Sequence, residues 1–143
     1  MYGKILKILV ALDGSEASKK ALRTAIELTR AFDASLIALG VEEHLPHYAA
    51  TVGEVVEAKE EKNAFFAHVL DEARHAAAEQ NVQLSTEVRA GNAAQQIVQL
   101  AREGGFDLIV LGASGHSLIR DFLLGTTTDR VTHHAPCSVL VVR

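Results

Sequence analysis

The chain of 143 residues has a single cysteine, Cys137, so it can form no internal disulfide. No apolar run approaches the roughly 18–20 residues a membrane span requires. Basic residues do not dominate either. Lys and Arg number 14 against 18 Asp and Glu, a formal charge of −4 and a pI ≈ 5.9. That balance argues against nucleic acid or a membrane surface as a partner. The opening residues, Met1-Tyr2-Gly3-Lys4, run into a strand-like segment without the layout of a signal peptide. Together these absences point to a cytoplasmic protein. No internal repeat and no low-complexity tract is present. Hydrophobic residues make up 48% and charged residues 22%, which excludes a disordered or collagen-like chain. The length suits one domain over residues 1–143, able to bury roughly 68–70% of its unfolded surface.

Periodicity and punctuation predict nine elements. Residues 5–12 (ILKILVAL) are short, β-branched and almost wholly apolar, the pattern of a strand covered on both faces. Asp13-Gly14-Ser15 makes a turn, and Ser15 caps a helix running to about Phe32. A second strand covers residues 35–41. Residues 42–54 read as a loop, long enough to carry function. Residues 55–80 read as a helix with an apolar stripe of Ala58, Phe65, Val69, Ala73 and Ala76. Its charged face, including Glu57, Lys59, Glu60, Glu61 and Lys62, reads as solvated. Residues 82–88 alternate apolar and polar, which predicts a strand at a sheet edge. Asn92, with Gln95 three residues on, opens a helix that Gly104-Gly105 ends. Residues 107–111 are another buried strand. A helix over 126–134 and a last strand over 138–142 (SVLVV) follow.

Alternating strands and helices imply an α/β fold with helices on both faces of a parallel sheet. Right-handed crossovers make it a single doubly wound five-stranded sheet of order 3-2-1-4-5. Such sheets bind ligands beyond the strand ends where the order reverses, here between the first and fourth strands. The turns at that point carry Asp13-Gly14-Ser15 and Gly112-Ala113-Ser114-Gly115, both rich in glycine and hydroxyls. The composition suits a phosphate. Gly112 and Gly115 let backbone N–H groups approach an anion, and Gly125 precedes Thr126-Thr127 at a helix N-terminus. Asp13 suits a ribose hydroxyl or Mg²⁺, and Val41 an apolar wall for a base. Neither G-x-G-x-x-G nor G-x-x-x-x-G-K-[ST] occurs, which argues against a Rossmann dinucleotide site and a P-loop.

The spacing Gly112-x₂-Gly115-x₉-Gly125-Thr126 resembles the nucleotide motif of the universal stress protein family. Residues 8–15 (ILVALDGS) and 136–142 (PCSVLVV) resemble that family's start and end, so the likeness covers essentially the whole chain. The resemblance implies the ATP-binding branch of the family and a stress-response regulatory protein. It places Asp13 at the ribose and phosphates, and Ala11, Leu12 and Val41 around adenine. Gly112, Ser114, Gly115, Gly125, Thr126 and Thr127 then line the ribose and triphosphate. It also implies a homodimer through Ser138, Val139, Leu140, Val141 and Val142, an apolar strand at a sheet edge. Many relatives carry a basic residue between the first two motif glycines. Here that stretch is Ala113-Ser114, with His116 and Arg120 following, which shifts the expectation toward weaker ATP binding or a preference for AMP or ADP.

Other readings are weaker. The seven histidines include His44 and His47 in the long stretch and His133-His134 at the last helix end, but no HExxH or Cys/His set appears. His133 and His134 suit the negative end of the helix dipole, and Cys137 reads as a structural thiol. A response-regulator receiver would need an aspartate after the third strand, where Val88-Arg89-Ala90 stands, and a lysine after the fifth. Asp13-Gly14-Ser15 is not the SGG-x-DS loop of an adenylating enzyme. A nucleotide-binding regulator is therefore the expectation. The alternatives are a slow ATPase, with Asp13-bound Mg²⁺ and Arg120 at the phosphates, or a dimeric interaction module with no nucleotide.

Overall fold

The computed structural model describes residues 4–43, 52–113 and 125–143. In chain order the elements are β1 (Lys7–Ala11), α1 (Glu16–Phe32), β2 (Ser35–Glu42), α2 (Val52–Glu79), β3 (Leu84–Ala90), α3 (Ala93–Glu103), β4 (Leu108–Gly112), α4 (Thr126–His134) and β5 (Ser138–Val142). The strands form one parallel sheet of order β3-β2-β1-β4-β5, as the sequence predicts. Ile8 and Val10 of β1 enter a core shared with Leu22, Ala25, Leu70 and Ala73 of α1 and α2. Leu9 enters a second core with Ile97 and Ala101 of α3 and Val131 of α4. Successive side chains of a strand point to opposite faces, so a central strand covered twice has no polar positions to spare. That is why β4, and β1 after Lys7, read as unbroken apolar runs.

Local signals set the helix starts. Ser15 caps α1 by accepting from the Ser18 N–H, and Asn92 caps α3 by accepting from the Gln95 N–H. The chain leaves α1 through Asp33 in the left-handed region at φ 52°. Asp107 does not belong to β4. Its Oδ2 accepts the N–H groups of Leu6 and Lys7, each at 2.9 Å, and joins the starts of β1 and β4.

Three expectations need correction. The buried stripe of α2 is Phe66, Leu70, Ala73 and Ala77, not one through Phe65. Phe65-Val69-Ala73-Ala76 and Phe66-Leu70-Ala73-Ala77 both keep helical spacing, one residue apart. The second carries the bulkier leucine and wins the core, with Val69 and Ala76 packed at its flank. The side chain of Ala58 lies outside the described set. The stretch predicted as a loop over 42–54 is shorter, since Glu42 completes β2 and α2 begins at Val52. Residues 44–51, with His44 and His47, lie outside the described residues. β3 starts two residues later than predicted but does lie at an edge. There Arg89 pairs with Glu87 and, at 3.0 Å, with Glu103. Among the described residues no helix is long and apolar enough to cross a membrane.

Candidate functional site

A cavity of ≈ 470 Å³ opens at the carboxyl ends of the central strands. That is within the size range of small-molecule sites. It is built on β1, whose continuation Leu12-Asp13 forms part of its wall. The turn after β1 is tightly specified. Asp13 Oδ1 accepts the Ser15 N–H at 2.9 Å, and Ser18 Oγ donates to the Ser15 carbonyl at 2.9 Å. Gly14 stands between them at φ +83°, a conformation that favours glycine. The Asp13 carboxylate is thereby positioned on the cavity wall before any ligand arrives.

On one side of β1 the wall is mostly apolar, with Glu43 after β2 the charged exception. β2 contributes Leu39 and Val41, and α2 contributes Phe65 and Phe66. On the other side it is made of backbone and hydroxyls, from Gly112 of β4 and Gly125 through Thr128 at the start of α4. Helix α4 opens on Gly125, an N-cap residue that has no side chain to accept from the first turn. A helix leaves its first four N–H groups without partners inside the helix. In α4 the residues that carry them, Gly125 through Thr128, line the cavity. Thr126 is exposed and Thr127 half-buried, while Thr128 is buried with its hydroxyl donating to the Gly112 carbonyl at 2.7 Å. The Gly125 N–H donates to the Ala113 carbonyl at 2.8 Å, and the Ala113 N–H to the Val142 carbonyl at 2.9 Å. The ends of β4, β5 and α4 are thus joined.

Of the residues expected from sequence, Ala11, Leu12, Asp13, Val41, Gly112, Gly125, Thr126 and Thr127 come together around this one cavity. Ser114 and Gly115 lie outside the described residues, as do His116 and Arg120. Gly112 has a second task that the motif alone does not reveal. A β-carbon there would lie 2.7 Å from the backbone C and O of Ala17 and 2.8 Å from its Cβ. Close packing of α1 on β4 therefore requires this glycine, with or without a ligand.

The sequence reading missed Glu43, Phe65, Phe66 and Thr128, and missed Ala93 and Ile97 at the start of α3. One signal was available. Two adjacent phenylalanines on an amphipathic helix cannot both face the core, so one of them must do something else. Away from the cavity, Cys137 packs against the α3 and α4 core, and burial, with Asp107 adding, pushes its thiol up. It stays protonated and a poor nucleophile at neutral pH. His133 Nδ1 lies 2.7 Å from the Asp129 carbonyl oxygen. Among the described residues no group of three or more His, Cys, Asp or Glu is placed to hold a metal ion.

A doubly wound parallel sheet with a cavity at its topological switch point places the chain among the open-sheet α/β proteins, an architecture that binds ligands at that point. The chain belongs to the universal stress protein family, whose model matches residues 4–143. The universal stress protein YxiE of Bacillus subtilis (strain 168) is 33% identical over 145 residues, covering 96% of this chain and 98% of the relative. The solved universal stress protein UspA from Lactobacillus plantarum matches with a TM-score of 0.90 at 29% identity, over 99% of both chains. A universal stress protein solved in complex with cAMP matches with a TM-score of 0.77 at 25% identity, over 99% of both chains.

Proposed function

We propose that this chain is a nucleotide-binding regulatory protein of the stress response, and that the cavity between β1 and β4 holds an adenine nucleotide. The observation that carries the reading is the start of α4. Its first turn, which its glycine N-cap leaves without a cap of its own, borders with the hydroxyls of Thr126 and Thr127 the same cavity as the Asp13 carboxylate. Free amides at a helix N-terminus attract phosphate. A carboxylate beside them suits ribose hydroxyls, and the apolar wall of Leu39 and Val41 suits a base. The family relative bound to cAMP supports the same ligand class.

ATP is the nucleotide proposed, with AMP or ADP as the alternatives. The charged side chains among the described lining residues are Asp13 and Glu43, both acidic. A triphosphate therefore needs Mg²⁺ to bridge it to this wall, and Asp13 is the residue proposed to hold that ion. Gly112 and Gly125, together with Ser114 and Gly115, complete the phosphate side in this reading. The working setting is the cytoplasm, with no nucleic acid or membrane as partner. Denaturing extraction of the freshly purified protein, followed by nucleotide chromatography, tests the assignment. Co-purified ATP, ADP or AMP is expected. An empty extract, together with no heat of binding for all three with Mg²⁺ present, would overturn it.

The proposal extends to a homodimer through β5. This strand ends the sheet, and Leu140 is 36% exposed on it. An uncovered edge presents unpaired N–H and C=O groups to a second copy of the same strand. Leu140→Glu places a charge in that contact. The wild type is expected at dimer mass in light scattering at micromolar concentration, and the variant at monomer mass. A monomeric wild type would remove the dimer from the proposal.

A further inference from the structure

We propose that the Phe65 ring is the surface on which the base of the bound nucleotide stacks, so that this wall selects a flat aromatic ring over a bare sugar phosphate. The inference rests on the reading of the cavity as a nucleotide site. Its starting point is an unexplained exposure. Phe65 is 46% exposed, although it lies on α2 beside the well-buried Phe66. An isolated exposed apolar residue needs no explanation. This one forms part of a cavity wall.

The ring is held in place. Phe66 meets it edge-on, with centroids 5.2 Å apart and planes at 79°. Phe66 is itself wedged against β2, where a β-carbon on Gly40 would lie 2.6 Å from its Cδ1. On its other side Phe65 leans on the turn after β1. A β-carbon on Gly14 would lie 2.6 Å from Phe65 Cζ, and the Val69 side chain is beside the same point. Two glycines, one in β2 and one in the β1 turn, thus make room for two neighbouring rings. A ring fixed before binding loses little freedom when a ligand covers it.

The placement also fits the order of the wall. Strands β2, β1 and β4 are neighbours in that order. Across the cavity the lining therefore changes from a mainly aromatic and aliphatic side that also carries Glu43, through Asp13, to the first residues of α4. A nucleotide has the same sequence of base, ribose and phosphate. Stacking on an aromatic side chain tolerates every base, because each has a π face. This wall accordingly selects for the presence of a base more than for its identity.

Two probes separate stacking from a structural role. AMP carries base, sugar and phosphate, while ribose 5-phosphate lacks the base. Titrations of the full chain followed by amide NMR shifts read even millimolar affinities. Phe65→Ala is expected to weaken AMP binding about tenfold, to leave ribose 5-phosphate unchanged, and to melt close to the wild type. Phe65→Trp is expected to restore AMP binding. Unchanged AMP affinity in Phe65→Ala would overturn the proposal, as would an equal loss for both probes. A wild type that binds neither probe would overturn the nucleotide reading itself, a failure distinct from that of Phe65.

Discussion

Gly112→Val is expected to lower the stability of the nucleotide-free protein by about 3 kcal/mol, at the upper end of ordinary overpacking. The size follows from what the new side chain would meet. Its Cβ would sit 2.7 Å from the C and O atoms of Ala17, and those atoms are backbone. The end of a flexible side chain can swing away at small cost. The first turn of α1 cannot, because the Ser15 cap and the Asp13 turn hold it. Relief requires α1 to lift off β4, where it covers the buried Val110. In a domain of this size about 3 kcal/mol corresponds to a fall of roughly 10 °C in Tm. Thermal melts without nucleotide measure it. Gly112→Ala should show most of the same loss, since the clash begins at Cβ. Ala17→Gly should restore only the part due to the 2.8 Å Cβ contact. A Gly112→Val melt within about 2 °C of wild type would mean that α1 is free to move. The first motif glycine would then have to be explained by a ligand alone.

That result bears on how much a motif says. The three glycines look equivalent in sequence, yet Gly112 is demanded by helix packing and Gly125 opens a helix. The central strands were legible because burial on both faces removes every polar position, a signal that needs no partner to be read. Their order was legible because crossover handedness leaves few choices. The α2 stripe was not. In Phe65-Phe66-Ala67-His68-Val69-Leu70 two helical stripes overlap, and the bulkier Leu70 together with the space beside Gly40 gives Phe66 the inner one. The same ambiguity hid Phe65 from the candidate site. Asp13 and Val41 were legible because strand ends at a switch point are fixed by topology. Phe65, Ala93 and Ile97 reach the cavity from helices, and the angle of a helix over a sheet is a matter of packing that no short motif records.

Asp13→Asn and Asp13→Ala are expected to separate the two tasks of that side chain. One is structural, since Oδ1 accepts the Ser15 N–H at 2.9 Å and shapes the turn that starts α1. The amide oxygen of asparagine can accept the same bond, so Asp13→Asn should keep the wild-type melt. Asp13→Ala cannot, and should lose about 1 kcal/mol. The other task, in the proposed function, is charge. Hydrogen bonds to ionised groups contribute about 1.5–3 kcal/mol, so losing the carboxylate should weaken ATP binding by roughly 10- to 100-fold. Calorimetry with Mg²⁺ and with EDTA tells how the charge acts. If Asp13 holds the metal, the wild type gains ATP affinity from Mg²⁺ and both variants lose that gain. If it holds only the ribose, both variants weaken AMP and ATP alike, and Mg²⁺ matters equally in all three proteins. ATP affinity unchanged in Asp13→Ala would remove Asp13 from the binding site and leave it the turn alone. The asparagine variant is the more informative of the two, because a protein that folds as before and binds less has lost only what the charge and the second acceptor oxygen supplied.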